Sequence, residues 1–219
     1  ALTGALEEVL SRSPELSVTV RVTLTRGVDN RRGIVLPRQC TPTLAIHLQQ
    51  ISSPSGHLYL NACRAIVSAV RRNHGSPLSR VKSCNYGDSI LARLEAETRN
   101  ADEAILLNNK EEVACASTAN VFFVKNGILY TPPKTTGALP GITRECILES
   151  AGVLGIPTEL STFDLSALQN ADEAFLSNTV IGILPLREIE GKILAIESKK
   201  DITMHLSRTL QTLIDSELR

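Results

Sequence analysis

Apolar residues recur at Leu2, Ala5, Leu6, Val9 and Leu10, a three-and-four spacing that predicts a short amphipathic helix ended by Pro14. The period then changes to two. Val18, Val20, Val22 and Leu24 alternate with Thr and Arg over 17–27, which predicts a half-buried strand running into Gly27, with 41–48 as its partner across a loop at 29–33. A polar, breaker-rich stretch follows, and it predicts a boundary: a small α/β unit at 1–51, a linker at 52–56, and a larger unit at 57–219. Within the larger unit, 89–99 reads as a helix, while 104–108, 121–124 and 128–131 read as strands of a meander with Lys125-Asn126-Gly127 as a tight turn. A helix opened by Gly141 is expected over 143–151, and a buried strand over 174–177. Ile202, Leu206, Leu210 and Leu213 sit at helical spacing and predict a closing helix over 201–218. No internal repeat and no low-complexity tract is read.

Composition narrows the function classes. With 219 residues, 42% of them hydrophobic, the chain can bury a core as one domain or as two small ones. Its 23 basic and 23 acidic residues cancel, so nucleic acid and anionic membrane are not expected partners; small neutral or acidic molecules are. The apolar stretches are too short to span a bilayer and no basic, then apolar, leader opens the chain, which together predict a cytoplasmic protein. Cys40, Cys63, Cys84, Cys115 and Cys146 are unevenly spaced and never form a CxxC, so reduced thiols are expected rather than disulfides or zinc. His47, His57, His74 and His205 lack ligand spacing, and no metal is expected. Ser89 and Ser177 lack a nucleophile elbow, and the glycines form neither a phosphate-binding P-loop nor a dinucleotide fingerprint.

The candidate chemistry lies in a few strings. Lys82 stands in R-V-K-S-C-N-Y (80–86), after Arg71, Arg72, Arg80 and a stiff S-P-L; on these residues alone it is a solvated lysine of a basic run or an amine nucleophile. P-G-I-T-R (140–144) is either an ordinary Pro-Gly turn or a helix start whose Ile142 and Thr143 amides, with the Thr143 hydroxyl, can hold a phosphate. S-N-T-V (177–180) is either a turn after a strand or a second polar contact through Asn178 and Thr179.

Taken in order, R-V-K-S-C-N-Y, N-A-D-E-A-I-L-L-N (100–108), A-S-T-A-N-V-F-F-V (116–124), T-P-P (131–133), G-A-L-P-G-I-T-R (137–144) and A-D-E-A-F-L-S-N-T (171–179) resemble the class IV, fold type IV, pyridoxal-phosphate enzymes. The resemblance covers about 18 to 190. It implies a two-domain α/β (α+β) fold with part of the small N-terminal domain absent, a view in keeping with Met204 being the only methionine. The absent part would hold an arginine that grips the cofactor phosphate.

The resemblance also implies roles. Lys82 would hold pyridoxal 5′-phosphate as a Schiff base and shuttle protons; Ile142, Thr143, Asn178 and Thr179 would hold the phosphate. Relatives place a glutamate five residues before the asparagine of S-x-x-N-x-F, where it protonates the pyridine nitrogen; here that position is Cys115. A thiol or thiolate is a poorer partner, so the ring would stay neutral and carbanion stabilisation would weaken. Arg32 aligns best with the arginine that binds substrate carboxylate in the D-amino-acid and lyase branches, and a guanidinium fork suits that task. Arg26 is expected to be structural. The implied activity is that of aminodeoxychorismate lyase in folate biosynthesis, converting 4-amino-4-deoxychorismate to 4-aminobenzoate and pyruvate, as a homodimer. The alternatives are a D-amino-acid or branched-chain aminotransferase, and a catalytically impaired member that lost the glutamate.

Overall fold

A computed structural model describes residues 2–13, 18–29, 33–35, 38–50, 62–194 and 201–217. The chain divides into two compact units, Ala1–Ser53 and Pro54–Arg219. The linker expected at 52–56 lies outside the described residues.

The first unit holds α1 (Leu2–Ser11), β1 (Val18–Thr25) and β2 (Thr43–Gln50). The two strands form an antiparallel ladder that pairs Val20 with Leu48, Val22 with Ile46 and Leu24 with Leu44. Half-burial was the expectation for this alternating strand, yet Val20, Val22 and Leu24 are all exposed. Two strands supply each other with cross-strand partners but not with a covering layer, and among the described residues no third strand joins them.

The second unit is a mixed sheet with helices on its outside. Its elements are β3 (Cys63–Arg72), α2 (Gly87–Thr98), β4 (Glu103–Asn108), β5 (Val113–Ala116), β6 (Asn120–Lys125) and β7 (Ile128–Thr131). Then come α3 (Ile142–Val153), β8 (Thr158–Leu160), α4 (Leu165–Gln169), β9 (Glu173–Asn178), β10 (Gly182–Ile189), β11 (Lys192–Ile193) and α5 (Ile202–Glu217). The strand order is β5-β4-β3-β10-β9-β6-β7-β8, with β11 paired to β10. The expected meander is therefore not formed: β6 and β7 do make a hairpin, closed by Asn126 and Gly127 at positive φ, but β4 pairs with β3 and β5 instead.

This sheet has to curl. Only three residues join β5 to β6, a reach of about 14 Å, while four strands stand between them, about 24 Å across a flat sheet. Side chains confirm the curvature. One face of β3, β4, β5, β6, β9 and β10 converges on a single inner core that includes Ile105, Val121, Leu176 and Leu186. The opposite face is covered by α2 through Ala92 and Ala96, and by α3 and α5 through Ile147, Ala151, Leu206 and Leu210. Strands buried on both faces read as continuous apolar runs, which is why β4, β6 and β9 lack a two-residue period.

The string A-D-E-A occurs twice, at 101–104 and 171–174. Both glutamates are buried and both serve as backbone caps. Glu103 accepts from the Ser117 and Thr118 hydroxyls and the Ala104 amide (2.8 Å), and Glu173 accepts from the Ile202 and Thr203 amides (3.0 and 2.7 Å) that open α5. The strands they begin each end in an asparagine, Asn108 or Asn178, whose side-chain oxygen accepts two backbone amides of the next turn. Among the described residues no helix is long and apolar enough to cross a membrane.

Candidate functional site

Two turns meet at one end of the paired strands β6 and β9. After β7 the chain passes through Pro132 and Pro133, makes one 3-10 turn (Lys134–Thr136), reverses at Gly137 with φ 93° and enters α3 at Gly141. No side chain caps this helix start, so its first amides face outward at the positive end of the helix dipole. Gly141 is demanded by space: a Cβ there would lie 2.4 Å from Oδ1 of Asn120. Asn120, at the head of β6, donates from Nδ2 to the Leu139 carbonyl at 2.9 Å and so fixes the approach to the helix.

Opposite Asn120 in the β6–β9 ladder is Ser177, whose Oγ is fully buried and has no hydrogen-bond partner. Asn178 then shapes the turn. Its Oδ1 accepts from the Val180 and Ile181 amides (2.8 and 2.9 Å), and its Nδ2 donates to the Thr118 carbonyl at 3.1 Å. Thr179 is left exposed, with Oγ1 3.5 Å from Oγ1 of Thr143 across a sequence separation of 36. The structure thus brings Thr143, Ile142 and Thr179 together, and gives Asn178 the task of building the turn. An uncapped helix start and two converging hydroxyls form a set of donors suited to an anion with several oxygens.

Lys82 lies on the loop after β3. Ser76 caps the turn Pro77–Arg80 by accepting from the Leu78 amide, and Val81 ends it. Lys82 follows in the open, with Nζ 5.6 Å above the Tyr86 ring, just ahead of α2. An amine nucleophile must lose its proton, which desolvation favours; within this unit the loop leaves the sheet and Lys82 is exposed.

Cys115 sits in β5, packed among Ile66, Ala92, Ala96, Ala104 and Leu106. Burial pushes its thiol up to about 11, with the charge of Arg72 pulling down and that of Glu103 pushing up. At physiological pH it is a neutral thiol, which removes the thiolate alternative. Arg32 lies outside the described residues. Glu111 and Glu112, too far upstream in sequence to replace the missing glutamate, are engaged by Arg71 and Asn108 respectively.

From sequence, Glu103 has no assigned role; Arg72 figures only as a charge ahead of Lys82, Asn120 only as a motif reference, and Ser177 only as lacking a nucleophile elbow. The recurrence of A-D-E-A is the one sequence signal that could have drawn attention to Glu103.

The fold and this site define a class of protein: an α+β frame presenting an uncapped helix start together with an exposed lysine. The family pattern described as amino-transferase class IV matches residues 1–189, and the chain belongs to that family. A putative branched-chain-amino-acid aminotransferase of Methanocaldococcus jannaschii is 36% identical over 192 residues, covering 85% of this chain and 64% of that protein. Aminodeoxychorismate lyase of Bacillus subtilis is 32% identical over 171 residues, covering 78% and 57% respectively. The crystal structure of the branched-chain aminotransferase of Thermoproteus uzoniensis superposes with a TM-score of 0.87 at 30% identity, covering 97% of this chain and 70% of that one. The chain spans less than two thirds of the length of these curated relatives. The family's cofactor is pyridoxal 5′-phosphate.

Proposed function

We propose that this chain carries the cofactor-binding part of a pyridoxal-phosphate enzyme that acts on the amino group of a small, carboxylate-bearing substrate. The observation that carries this reading is the approach of the Thr143 and Thr179 hydroxyls beside an uncapped helix start. Those donors fit the cofactor's phosphate. Ile142 and Thr143 hold it through backbone amides, Thr179 through its hydroxyl, and Asn178 keeps the turn in shape. Bound pyridoxal phosphate supplies an electron-withdrawing ring that takes up the charge left when a proton leaves the substrate's α-carbon. Lys82 holds the cofactor through its amine and moves that proton.

Among the family's reactions the lyase reading has a specific support in Cys115. A buried neutral thiol offers no negative charge to the ring nitrogen, so the electron sink is weak. Pyruvate loss from 4-amino-4-deoxychorismate draws its driving force from forming an aromatic ring in the substrate, and tolerates a weak sink better than transamination does. On this reading the protein is a cytoplasmic homodimer that makes 4-aminobenzoate for folate. The second reading, a branched-chain or D-amino-acid aminotransferase, is favoured by the higher identity to the Methanocaldococcus protein.

The test is to mix the full protein with pyridoxal phosphate, reduce with borohydride and map the modified peptide. Modification at Lys82, lost in Lys82→Ala, supports the reading; a folded protein unmodified there sinks it. Lyase and transaminase assays of the parent and of Cys115→Glu then separate the two activities. A gain in transamination without a gain in lyase turnover supports the proposed effect of Cys115, and equal changes in both refute it.

A further inference from the structure

Adjacent arginines at the end of β3 have different partners. Arg71, half-buried, donates from Nη1 to the Ser68 carbonyl of its own strand at 2.8 Å and pairs through Nε and Nη2 with the exposed Glu111 at 2.9 and 3.0 Å. Arg72, likewise half-buried, donates to two backbone carbonyls: Nε to Gly137 at 3.1 Å and Nη2 to Ser79 at 2.6 Å. These carbonyls belong to the two segments that matter most. Ser79 is three residues before Lys82, in the turn whose own hydroxyl also bonds back to the Asn73 carbonyl. Gly137 is four residues before Gly141, where α3 and its outward amides begin.

The contact at Gly137 is close as well as directional. A Cβ at this positive-φ glycine would meet Arg72 Cγ at 3.0 Å and His74 Cα at 3.2 Å, so the loop rests directly on the arginine stem. Beyond Ser79 the Lys82 loop has little burial of its own: Arg80, Val81, Lys82 and Cys84 are exposed. The Arg72 charge also reaches Cys115, so a third candidate position lies within its influence.

We propose that Arg72 is a positioning residue that locks the Lys82 loop to the segment entering α3, so that an anion held at the helix start presents the rest of its molecule to the Lys82 amine. The inference rests on the pyridoxal-phosphate reading above. A planar fork holds Nε and Nη2 in fixed relation to the two carbonyls, whereas a lysine ammonium is a single point donor on a flexible stem and lacks that fixed spacing. Loss of the bridge leaves both segments intact but no longer in register, and small misplacements of reacting groups are slow to react.

Pyridoxal phosphate and pyridoxal, which lacks the phosphate, separate this role from plain structural support. The readout is the rate of borohydride-trapped modification at Lys82 for each aldehyde, and the ratio of the two rates measures how far the anion site assists the lysine. Arg72→Met keeps the apolar stem and removes both donors. The expected result is a ratio lowered by about tenfold or more, with the pyridoxal rate changed by no more than about twofold. If Arg72→Met lacks a cooperative unfolding transition, Arg72→Lys is read in its place, with the ratio again expected to fall. An unchanged ratio in the variant so read overturns the inference while leaving the cofactor reading standing. A parent protein without any phosphate advantage, or without modification at Lys82, overturns the cofactor reading and this inference with it.

Discussion

Gly141→Ala tests the geometry of the helix start most directly. The backbone there has φ −73° and ψ 140°, which alanine adopts freely, so stiffening the unfolded chain favours the variant by about 0.4–1 kcal/mol. Against this, the new methyl group would lie 2.4 Å from Asn120 Oδ1, well inside contact distance, and Asn120 is itself buried. Overpacking of this kind costs about 1–3 kcal/mol, and displacing Asn120 from the Leu139 carbonyl adds about 0.5–1.5 kcal/mol. The net expectation is a loss of about 0.5–4 kcal/mol, seen in urea unfolding as a lower midpoint with unchanged slope. In a thermal scan, each kcal/mol lowers Tm by about 2–4 °C for a chain of this size. Asn120→Ala removes the obstructing side chain, so the double variant should be more stable than the two single losses summed, by about 1 kcal/mol. Parent-like stability in Gly141→Ala, or strict additivity in the double variant, would refute the steric account.

Three further outcomes are expected. Cys40 and Cys84 are exposed while Cys63 and Cys115 are buried, so a thiol reagent should modify the first two in the native protein; pyridoxal phosphate should slow reaction at Cys84, two residues from Lys82, and leave Cys40 unaffected. The Lys125 ammonium, helped by the Asn126 amide, holds the Asp172 carboxyl below its usual range. A depressed folded-state value means that this stabilisation is present above the ordinary range and is lost as pH falls through the folded one. The stability gap between parent and Asp172→Asn should therefore narrow below about pH 4, and a gap constant down to acid unfolding would contradict it. Leu206 is fully buried where α5 meets Phe122 and Phe175, so Leu206→Ala should cost about 2–5 kcal/mol in chemical denaturation; a loss under about 1 kcal/mol would mean that α5 is not docked as described.

Local chemistry was legible where it acts locally. The Asn126-Gly127 turn follows from two residues that tolerate positive φ, and the β6–β7 hairpin came with it. Gly141 as the opening of α3 and the apolar stripe of α5 were equally visible, since caps and helical periodicity involve neighbours along the chain. The strands β3, β5, β8 and β10 were not singled out. β3 lies between parallel neighbours β4 and β10, and β10 carries Pro185 where its pairing passes from β9 to β3. Neither a two-sided burial pattern nor a proline announces a strand.

Membership in the class IV family was carried by the sequence alone, because Lys82, P-G-I-T-R and S-N-T-V are short strings whose order along the chain is itself the signal. Which of their atoms meet was decided only by the fold. Thr143 and Thr179 become neighbours because β6 and β9 are paired and α3 packs across them; Cys115 becomes a neutral thiol because β5 is buried under α2. Arg71 and Arg72 are indistinguishable in the one-dimensional text. Their separation into a partner of the exposed Glu111 and a bridge between two loops is a consequence of where β3 ends, and bond direction at that point exists only in three dimensions.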